Sequence, residues 1–214
     1  MLDLFELLYK PHPWHGLSSG DELPNLVNAY IEIVPTDTVK YEIDKASGYL
    51  KGDRPQRYSN LCPTLYGFVP QTYCGKAVGE LCAKESGSQF EIVGDGGPLD
   101  ICVLSERPIA NGDIMLAVRP IGGLRMIDGG EADDKIIAVL QNDAVYGSIQ
   151  DIDDCPNAVL DRLKHYFLTY KEMPDASAQS CVEISAVYGR ELAEQVILAS
   201  RKDYDSKFGN PEER

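Results

Sequence analysis

Apolar and polar residues alternate along most of the first two thirds of the chain, and this alternation predicts β-strands. Successive side chains of a strand point to opposite faces, so a period of two turns one apolar face toward a core. Asp44 to Gly48 has the composition of a hairpin turn between two such segments. The pattern predicts strands over Tyr30–Val34, Val39–Asp44, Tyr49–Lys51, Phe90–Val93, Leu99–Leu104, Ile114–Arg119 and Ile136–Leu140.

Helical periodicity is confined to the last third of the chain. Apolar residues recur at helical spacing from Val159 to Phe167, with Asn157 as a candidate N-terminal cap, and a second helix is predicted from Arg190 to Arg201. The polar stretch from Gly75 to Ser88 is interpreted as the loosest part of the chain. Short strands followed by two helices indicate the α+β class, mainly β, as a closed or nearly closed barrel with helices outside. Propensity alone does not separate that barrel from another α+β arrangement.

The length and charge of the chain restrict its class. The chain has 214 residues, 20 of them basic and 34 acidic, which gives a net charge of −14. We expect one domain over residues 1–214, with an N-terminal extension over 1–29 and a C-terminal strand and helix over 172–214. A field of this sign repels nucleic acid and anionic membranes and attracts divalent cations. The composition therefore disfavours polyanion binding unless metal ions reverse the local charge.

Cysteine spacing and the N-terminal stretch indicate the compartment. The six cysteines form no CxxC pair and no zinc-like spacing with the three histidines, so reduced thiols are predicted. The first residues carry Asp3 and Glu6 within their apolar stretch and lack the basic region of a signal peptide. No run of about 18 apolar residues is present to span a membrane. We expect a soluble, cytoplasmic protein.

Two acidic turns carry the candidate chemistry. In GDGGPLDICVL, Asp95 precedes a sharp turn and Asp100 opens an apolar strand, although an isolated DG pair is more often a simple hairpin signal. The second turn, IDGGEADDK, would alone most often be a solvated loop. Hard cations such as Mg²⁺ prefer oxygen ligands drawn from several loops, so the two turns together resemble a shared metal basin. The second turn supplies Asp128, Glu131, Asp133, Asp134 and Lys135.

Further charged residues occur near these turns in the predicted strands. A period of two in VKYEIDK places Lys40, Glu42 and Asp44 on one face, although an ordinary half-exposed strand has the same pattern. Glu32 lies between two isoleucines, and Arg54 of GDRP suits either a phosphate clamp or a surface turn.

Two tyrosines and a lysine have equally plain alternatives. Tyr170 and Lys171 follow the apolar stripe of HYFLTYK, where a lysine is also favoured by the helix dipole. Tyr66, beside Gly67, suits a barrel core with a tethered hydroxyl.

Six segments, in one order and at compatible spacing, resemble the family I soluble inorganic pyrophosphatases, in their longer-chain bacterial form. These are YIEIV, VKYEIDK with GDRP, LYG, the DGxPLD segment, RPIGGLRMIDGGEADDK and HYFLTYK, and HPWHG near the start adds to the match. The resemblance implies an OB-like five-stranded β-barrel flanked by helices. It also implies hydrolysis of pyrophosphate to two phosphates by metal-activated water, with three or four Mg²⁺ ions, or Mn²⁺ or Zn²⁺ in their place, in a homo-oligomer.

The same resemblance assigns roles residue by residue. The implied metal ligands are Glu32, Asp95, Asp100, Asp128 and Asp133. The implied phosphate-binding residues are Lys40, Arg54, Lys135, Tyr170 and Lys171. Tyr66 would hydrogen-bond near the nucleophile, and Glu42 and Asp53 would complete the charged network. Acidic side chains would collect the metals and basic ones would hold the anionic substrate.

One position departs from the family pattern at its centre. Family members read DGDPxD where this chain reads DGGPLD, so Gly97 stands where an aspartate that orients or deprotonates the attacking water is expected. Loss of a general base lowers a rate by about a hundredfold to ten-thousandfold. Three interpretations stay open: a variant of an active enzyme, a natural enzyme in which another acid or a water substitutes, or a natural protein that keeps binding but has lost most turnover. Cys62, where relatives have tyrosine, would be a weaker hydrogen-bonding group facing the pocket.

Two other classes of function stay open from the sequence. An OB-like barrel also serves as a binding module for nucleic acid or a protein partner. A nonhydrolytic protein that binds metal or pyrophosphate would keep the same charged residues.

Overall fold

The structure, a computed structural model, describes residues 10–171 and 182–209. Ten strands and three α-helices lie within these ranges. The strands are β1 (Val27–Ile33), β2 (Val39–Ile43), β3 (Leu50–Pro55), β4 (Leu65–Val69), β5 (Val93–Gly94), β6 (Leu99–Leu104), β7 (Ile114–Asp128), β8 (Glu131–Ala132), β9 (Lys135–Leu140) and β10 (Val182–Gly189). The helices are α1 (Lys76–Ser86), α2 (Asn157–Thr169) and α3 (Arg190–Phe208), with a short 3₁₀ helix at Ile152–Asp154.

Five strands close into a ring around an apolar core. They follow the order β1-β4-β6-β9-β7, and β7 pairs back onto β1, with Val27 opposite Val118. Strands β6 and β9 run parallel and the other neighbours in the ring run antiparallel. Side chains such as Ile101 and Ile136 are fully buried inside the ring. The prediction of a barrel flanked by helices is confirmed.

Helix α1 overturns the interpretation of Gly75 to Ser88 as a loose polar stretch. Its capping residue is Gly75, which has no side chain to accept the first backbone N–H groups. Asp203, on α3, accepts hydrogen bonds from the N–H groups of Gly75, Ala77 and Val78 at 3.0, 2.9 and 3.0 Å. A carboxylate at this end of a helix also suits its dipole. The signal for α1 therefore lies far along the chain, and sequence-local rules miss it.

Several predicted boundaries are wrong by a few residues. Phe90–Val93 is not a strand, because only Val93–Gly94 pairs, with β8, and the Phe90 side chain is 84% exposed. Helix α2 begins at Asn157 itself, after Pro156, so Asn157 is not its cap. Strand β4 was not predicted, since both of its faces are largely buried and it shows no alternation. The predicted hairpin between β2 and β3, with its turn at 44–48, is present.

The described part of the N-terminal extension packs against the barrel and α3. Trp14 is 4% exposed and its indole N–H donates to the Thr72 carbonyl oxygen at 2.7 Å. The ring lies in a cluster with Tyr30, Phe68 and Tyr204. Pro13 and Trp14 of HPWHG are thus buried next to the barrel, whereas Gly16 of the same segment is exposed.

Five cysteines within the described ranges are free and buried, and Cys181 lies outside those ranges. Cys62 belongs to the core between the barrel and α2, and burial raises the pKa of its thiol to about 12. It does not line the cavity described below, so the expectation that it faces the pocket is wrong. Among the described residues, no helix is both long and apolar enough to cross a lipid bilayer.

Candidate active site

A cavity of about 600 Å³ opens at one end of the barrel, between the β2–β3 hairpin, the turn before β6 and the end of α2. Its wall is strongly charged. The acidic residues that line it are Glu32, Glu42, Asp44, Asp95, Asp100 and Asp133, and the lysines are Lys40, Lys45, Lys51, Lys135 and Lys171. Its aromatic surface consists of Tyr66, Tyr166, Phe167 and Tyr170.

Parallel pairing of β6 and β9 creates the centre of this cavity. Asp100 and Lys135 are register partners on the two strands, so their side chains lie side by side. The Lys135 ammonium donates to Asp100 Oδ2 at 2.5 Å and also to Asp133 Oδ1. Tyr66 on β4 pairs with Cys102, which is two residues after Asp100 on β6. The Tyr66 hydroxyl donates to the same Asp100 Oδ2 at 2.5 Å. Two predicted groups, the Lys135 ammonium and the Tyr66 hydroxyl, thus converge on the Asp100 carboxylate.

Burial and mutual repulsion set the charges of these groups. Burial would lower the pKa of Lys135, but the charges of Asp100 and Asp133 outweigh burial and hold that pKa well above its usual range. Burial raises the pKa of Asp133 to about 7, against the attraction of Lys135, and Asp100 adds to the rise. Glu32 is 7% exposed, and burial together with Asp100 raises its pKa to about 8. Deprotonated, these acids leave a surplus of negative charge that one lysine does not balance.

A second group of charges lies along the β2–β3 hairpin and the end of α2. Lys40 donates to Glu42 Oε2 and to Asp53 Oδ2, each at 3.0 Å. The Arg54 guanidinium lies 5.7 Å from the centre of the Tyr170 ring. The Lys171 ammonium donates to Asp128. These cations are held near the mouth by contacts that a phosphate oxygen is able to replace.

The turn at 95–98 is fixed by backbone contacts. The Gly97 N–H donates to Asp95 Oδ1 at 3.0 Å, and its carbonyl accepts from the Cys74 N–H at 2.8 Å. Gly96 has φ +73° and requires glycine, whereas Gly97 has no such requirement. A β-carbon at Gly97 would lie 3.4 Å from Asp95 Oδ2, an ordinary contact. The backbone therefore accepts an aspartate at this position, beside Asp95.

The structure brings most of the predicted site residues together. Ten of the residues assigned from the sequence, and Gly97, line the cavity, whereas Asp53, Arg54 and Asp128 lie outside its wall. Each of these three contacts a residue of the wall: Asp53 contacts Lys40, Arg54 contacts Tyr170, and Asp128 contacts Lys171. The ten are Glu32, Lys40, Glu42, Tyr66, Asp95, Asp100, Asp133, Lys135, Tyr170 and Lys171.

Three charged residues of the neighbourhood are placed differently from the sequence interpretation. Asp134, grouped with the metal basin, faces away from the cavity and is 3% exposed beside Arg125 and Tyr188. Lys45 and Lys51 line the cavity without having been assigned to it. For Lys51 the signal was present, because it pairs with Glu42 across the hairpin. Lys45, in the turn, gave no periodic signal.

The donor set suits hard divalent cations. Oxygen ligands come from three separate elements: Glu32 on β1, Asp95 and Asp100 around the turn before β6, and Asp133 before β9. Within residues 10–171 and 182–209, no three acidic, histidine or cysteine side chains converge as tightly as in a preformed metal site. Such spacing fits ions that keep several waters and contact one carboxylate from each element. Burial, together with the charge of Asp100, raises the pKa values of Glu32 and Asp133, and a bound cation would favour the deprotonated form of both acids.

Comparison with known proteins agrees with this geometry. The family model described as inorganic pyrophosphatase matches residues 29–205. An inorganic pyrophosphatase of Chlamydia muridarum is 52% identical over 201 residues, covering 92% of this chain and 95% of the relative. One of Chlamydia caviae is 54% identical over 204 residues, covering 92% of each.

The crystal structure of inorganic pyrophosphatase from Thermus thermophilus has a TM-score of 0.74 at 31% identity, covering 92% of this chain and 99% of that one. The OB-like fold that the sequence predicts is thereby confirmed. The chain belongs to the inorganic pyrophosphatase family.

Proposed function

We propose that this protein hydrolyses inorganic pyrophosphate to two phosphates and depends on Mg²⁺ to do so. The observation that supports this most is the position of Lys135, whose buried ammonium contacts Asp100 and Asp133 while Tyr66 contacts the same Asp100. A fixed buried cation beside surplus carboxylates suits a substrate that is itself an anion and arrives with cations.

The residues divide into two sets by charge. Glu32, Asp95, Asp100, Asp128 and Asp133 would hold Mg²⁺, with three or four ions as the finer expectation and Mn²⁺ or Zn²⁺ as substitutes. When bound, these ions would neutralise phosphate oxygens and make water acidic enough to attack. Lys40, Arg54, Lys135, Tyr170 and Lys171 would bind the two phosphoryl groups. Glu42 and Asp53 orient Lys40 through the contacts described above.

The side chains also determine where charge and protons are kept. Lys135 stays protonated, because its two carboxylate partners raise its pKa, so it supplies a permanent positive charge to a phosphate oxygen. Tyr66 stays a neutral donor, because burial and the charge of Asp100 raise the pKa of its hydroxyl. Its O–H therefore holds Asp100 in orientation and does not act as a base. Overall, one water is consumed: its oxygen bonds to one phosphorus, the bridging P–O bond to that phosphorus breaks, and its two hydrogens end one on each phosphate product.

Gly97 limits what the turn can contribute. Without a side chain, position 97 neither orients nor deprotonates the attacking water, so we expect reduced turnover. The Gly97→Asp variant should restore it, since the backbone admits a β-carbon there at 3.4 Å from Asp95. We expect phosphate release to rise by about a hundredfold or more in that variant.

Phosphate release from pyrophosphate in Mg²⁺, measured by a malachite-green assay on the unmodified chain and on Gly97→Asp, tests the proposal. Gly97→Ala is the matched control, because it adds the β-carbon without the carboxylate. Release by Gly97→Asp that exceeds both others supports the assignment of the turn. Absence of release from all three chains, with no pyrophosphate binding by calorimetry, would refute the enzyme function.

The finer points of assembly and location belong to the same proposal. Five free, buried cysteines suit a reducing compartment, so we propose the cytoplasm. We also propose a homo-oligomer, which sedimentation velocity would test directly.

A further inference from the structure

Lys45 lies at the mouth of the cavity, in the turn between β2 and β3, opposite the turn that contains Gly97. Its side chain is exposed, and its ammonium is 3.4 Å from the Gly96 carbonyl oxygen. This weak contact connects the hairpin to the turn that holds Asp95. The ammonium is thus placed over the part of the cavity where the sequence lacks its expected aspartate.

The other lysines of the cavity wall differ from Lys45 in their partners. Lys40 and Lys51 each contact Glu42 and a second acid, Lys135 contacts Asp100 and Asp133, and Lys171 contacts Asp128. Among residues 10–171 and 182–209, no carboxylate lies within 4.0 Å of the Lys45 ammonium. An anion that reaches Lys45 therefore has no short salt bridge to break, and the ammonium acts on the Asp95 carboxylate only through longer-range attraction.

The N-terminal segment holds Lys45 in this place. The Lys45 ammonium lies 5.7 Å from the centre of the Trp14 ring, within range of a cation–π interaction. Trp14 itself cannot move freely, because its indole N–H is bonded to the Thr72 carbonyl oxygen and its ring stacks on His15 at 4.6 Å. A rigid aromatic ring thus restricts a long, flexible side chain that has no salt bridge to restrict it.

We propose that Lys45 is a further substrate-binding residue, which contacts the phosphoryl group nearest the 95–98 turn, and that Trp14 is its positioning residue. The assignment rests on the proposed pyrophosphatase function. With glycine at position 97, Asp95 is the one carboxylate on that turn, and it attracts the ammonium without a salt bridge within 4.0 Å. Lys45 should therefore contribute more to substrate binding in this chain than in its Gly97→Asp variant.

The test compares Lys45→Gln with the unmodified chain and with Lys76→Gln. Lys76 is an exposed lysine on α1 that pairs with Glu80 at 3.6 Å and does not line the cavity. Dissociation constants for imidodiphosphate, which keeps the charge of pyrophosphate but resists hydrolysis, are measured by calorimetry in Mg²⁺. We expect Lys45→Gln to weaken binding about tenfold and to raise KM in step, with kcat within about twofold.

Two further variants separate a binding role from a structural one. Lys45→Arg keeps the charge and should bind within about threefold of the unmodified chain. Trp14→Phe keeps a packed ring but weakens the cation–π contact, so it should weaken binding less than Lys45→Gln and add little to it in the double variant. In the Gly97→Asp chain, Lys45→Gln should raise the Kd for imidodiphosphate by less than about threefold, compared with about tenfold in the unmodified chain.

Equal affinity of Lys45→Gln and the unmodified chain would overturn the assignment of Lys45 and leave the proposed function intact. Weaker binding by Lys76→Gln of the same size would also overturn it, because general surface charge would then explain the effect. If the unmodified chain bound no imidodiphosphate and released no phosphate, the proposed function itself would fail, and the Lys45 assignment with it.

Discussion

The three consecutive residues Asp133, Asp134 and Lys135 take part in two buried ionic clusters with opposite properties. Asp133 and Lys135 point into the cavity toward Asp100, whereas Asp134 points to the other face. There Asp134 Oδ2 accepts from the Tyr188 hydroxyl at 2.9 Å and lies 3.6 Å from Arg125 Nη2. The period-two geometry of the chain thus divides adjacent acids between two environments.

The two clusters differ in balance and in access. The rear cluster consists of Asp134, Arg125 and Tyr188. It pairs one carboxylate with one guanidinium, whose side chains are both about 2% exposed, so it has no net charge for a ligand to neutralise. The cavity cluster consists of Asp100, Asp133 and Lys135. It opens to solvent, and its two acids outnumber its one lysine. The difference shows that a buried charge alone does not indicate a binding site, whereas unbalanced charge beside a cavity does.

The largest expected effect concerns the cavity cluster. Lys135→Gln leaves Asp100 and Asp133 without their cation and removes the fixed charge for a phosphate oxygen. We expect phosphate release to fall about a hundredfold to thousandfold, with Lys135→Arg partly active. Steady-state assays in the unmodified and Gly97→Asp backgrounds measure it, and circular dichroism confirms the fold. Activity of Lys135→Gln within tenfold of its parent would contradict the role.

The rear cluster should behave in the reverse way. Asp134→Asn leaves the Arg125 guanidinium buried without a counter-charge, so we expect a loss of about 3 kcal/mol in the free energy of unfolding. KM and kcat of the folded protein should change much less than in Lys135→Gln. Urea denaturation followed by tryptophan fluorescence gives the stability.

The double variant Asp134→Leu with Arg125→Met provides the control, since replacing both charges should cost less than removing one. A stability equal to the native value in Asp134→Asn would show that the pair does not hold this face. A fall in activity as large as that of Lys135→Gln would contradict the separation of this ion pair from the cavity.

Smaller effects should appear in the dependence of stability on pH. Folding raises the pKa of Glu32 to about 8 and of Asp133 to about 7, whereas both acids titrate near pH 4 when unfolded. Between these values the folded chain binds more protons than the unfolded one, so its stability falls as pH rises and the loss is complete above about pH 8. Without metal, we expect Tm to fall by roughly 10 °C between pH 5.5 and 8.5.

Mg²⁺ should reverse that loss, because a cation replaces the protons at the same carboxylates. Calorimetric scans in EDTA and in Mg²⁺ at both pH values measure the effect. Glu32→Gln, which keeps an oxygen for the Ile43 N–H now bonded at 2.7 Å, should flatten the pH dependence. Greater stabilisation by Mg²⁺ at the lower pH would contradict this explanation.

The sequence predicts the barrel and most of the site because their signals are local. The alternation of β2 and the apolar runs of β1, β6 and β9 identify these strands, and the acidic turns lie next to them. Helix α1 was missed because the carboxylate that accepts from its first N–H groups, on Asp203, is distant in sequence. Lys45 was missed for a similar reason, since its partners Trp14 and Gly96 meet only after folding.

Asp134 illustrates a different limit. Its place in a run of acids suggested the metal basin, and only the position of Arg125 and Tyr188 behind β9 shows that it faces inward. Alternation along 133–135 contained that information, but an irregular turn precedes these residues, with Gly129 and Gly130 both at positive φ. The phase of a strand is hard to extend through such a turn.

Phosphate release from pyrophosphate by the unmodified chain, measured across a Mg²⁺ titration with EDTA as the zero point, tests the central claim most directly. The cavity cluster predicts no release in EDTA, a rise with Mg²⁺ to a slow plateau, and a higher plateau at the same Mg²⁺ for Gly97→Asp. Release that is equal with and without Mg²⁺, or that survives Lys135→Gln unchanged, would contradict it.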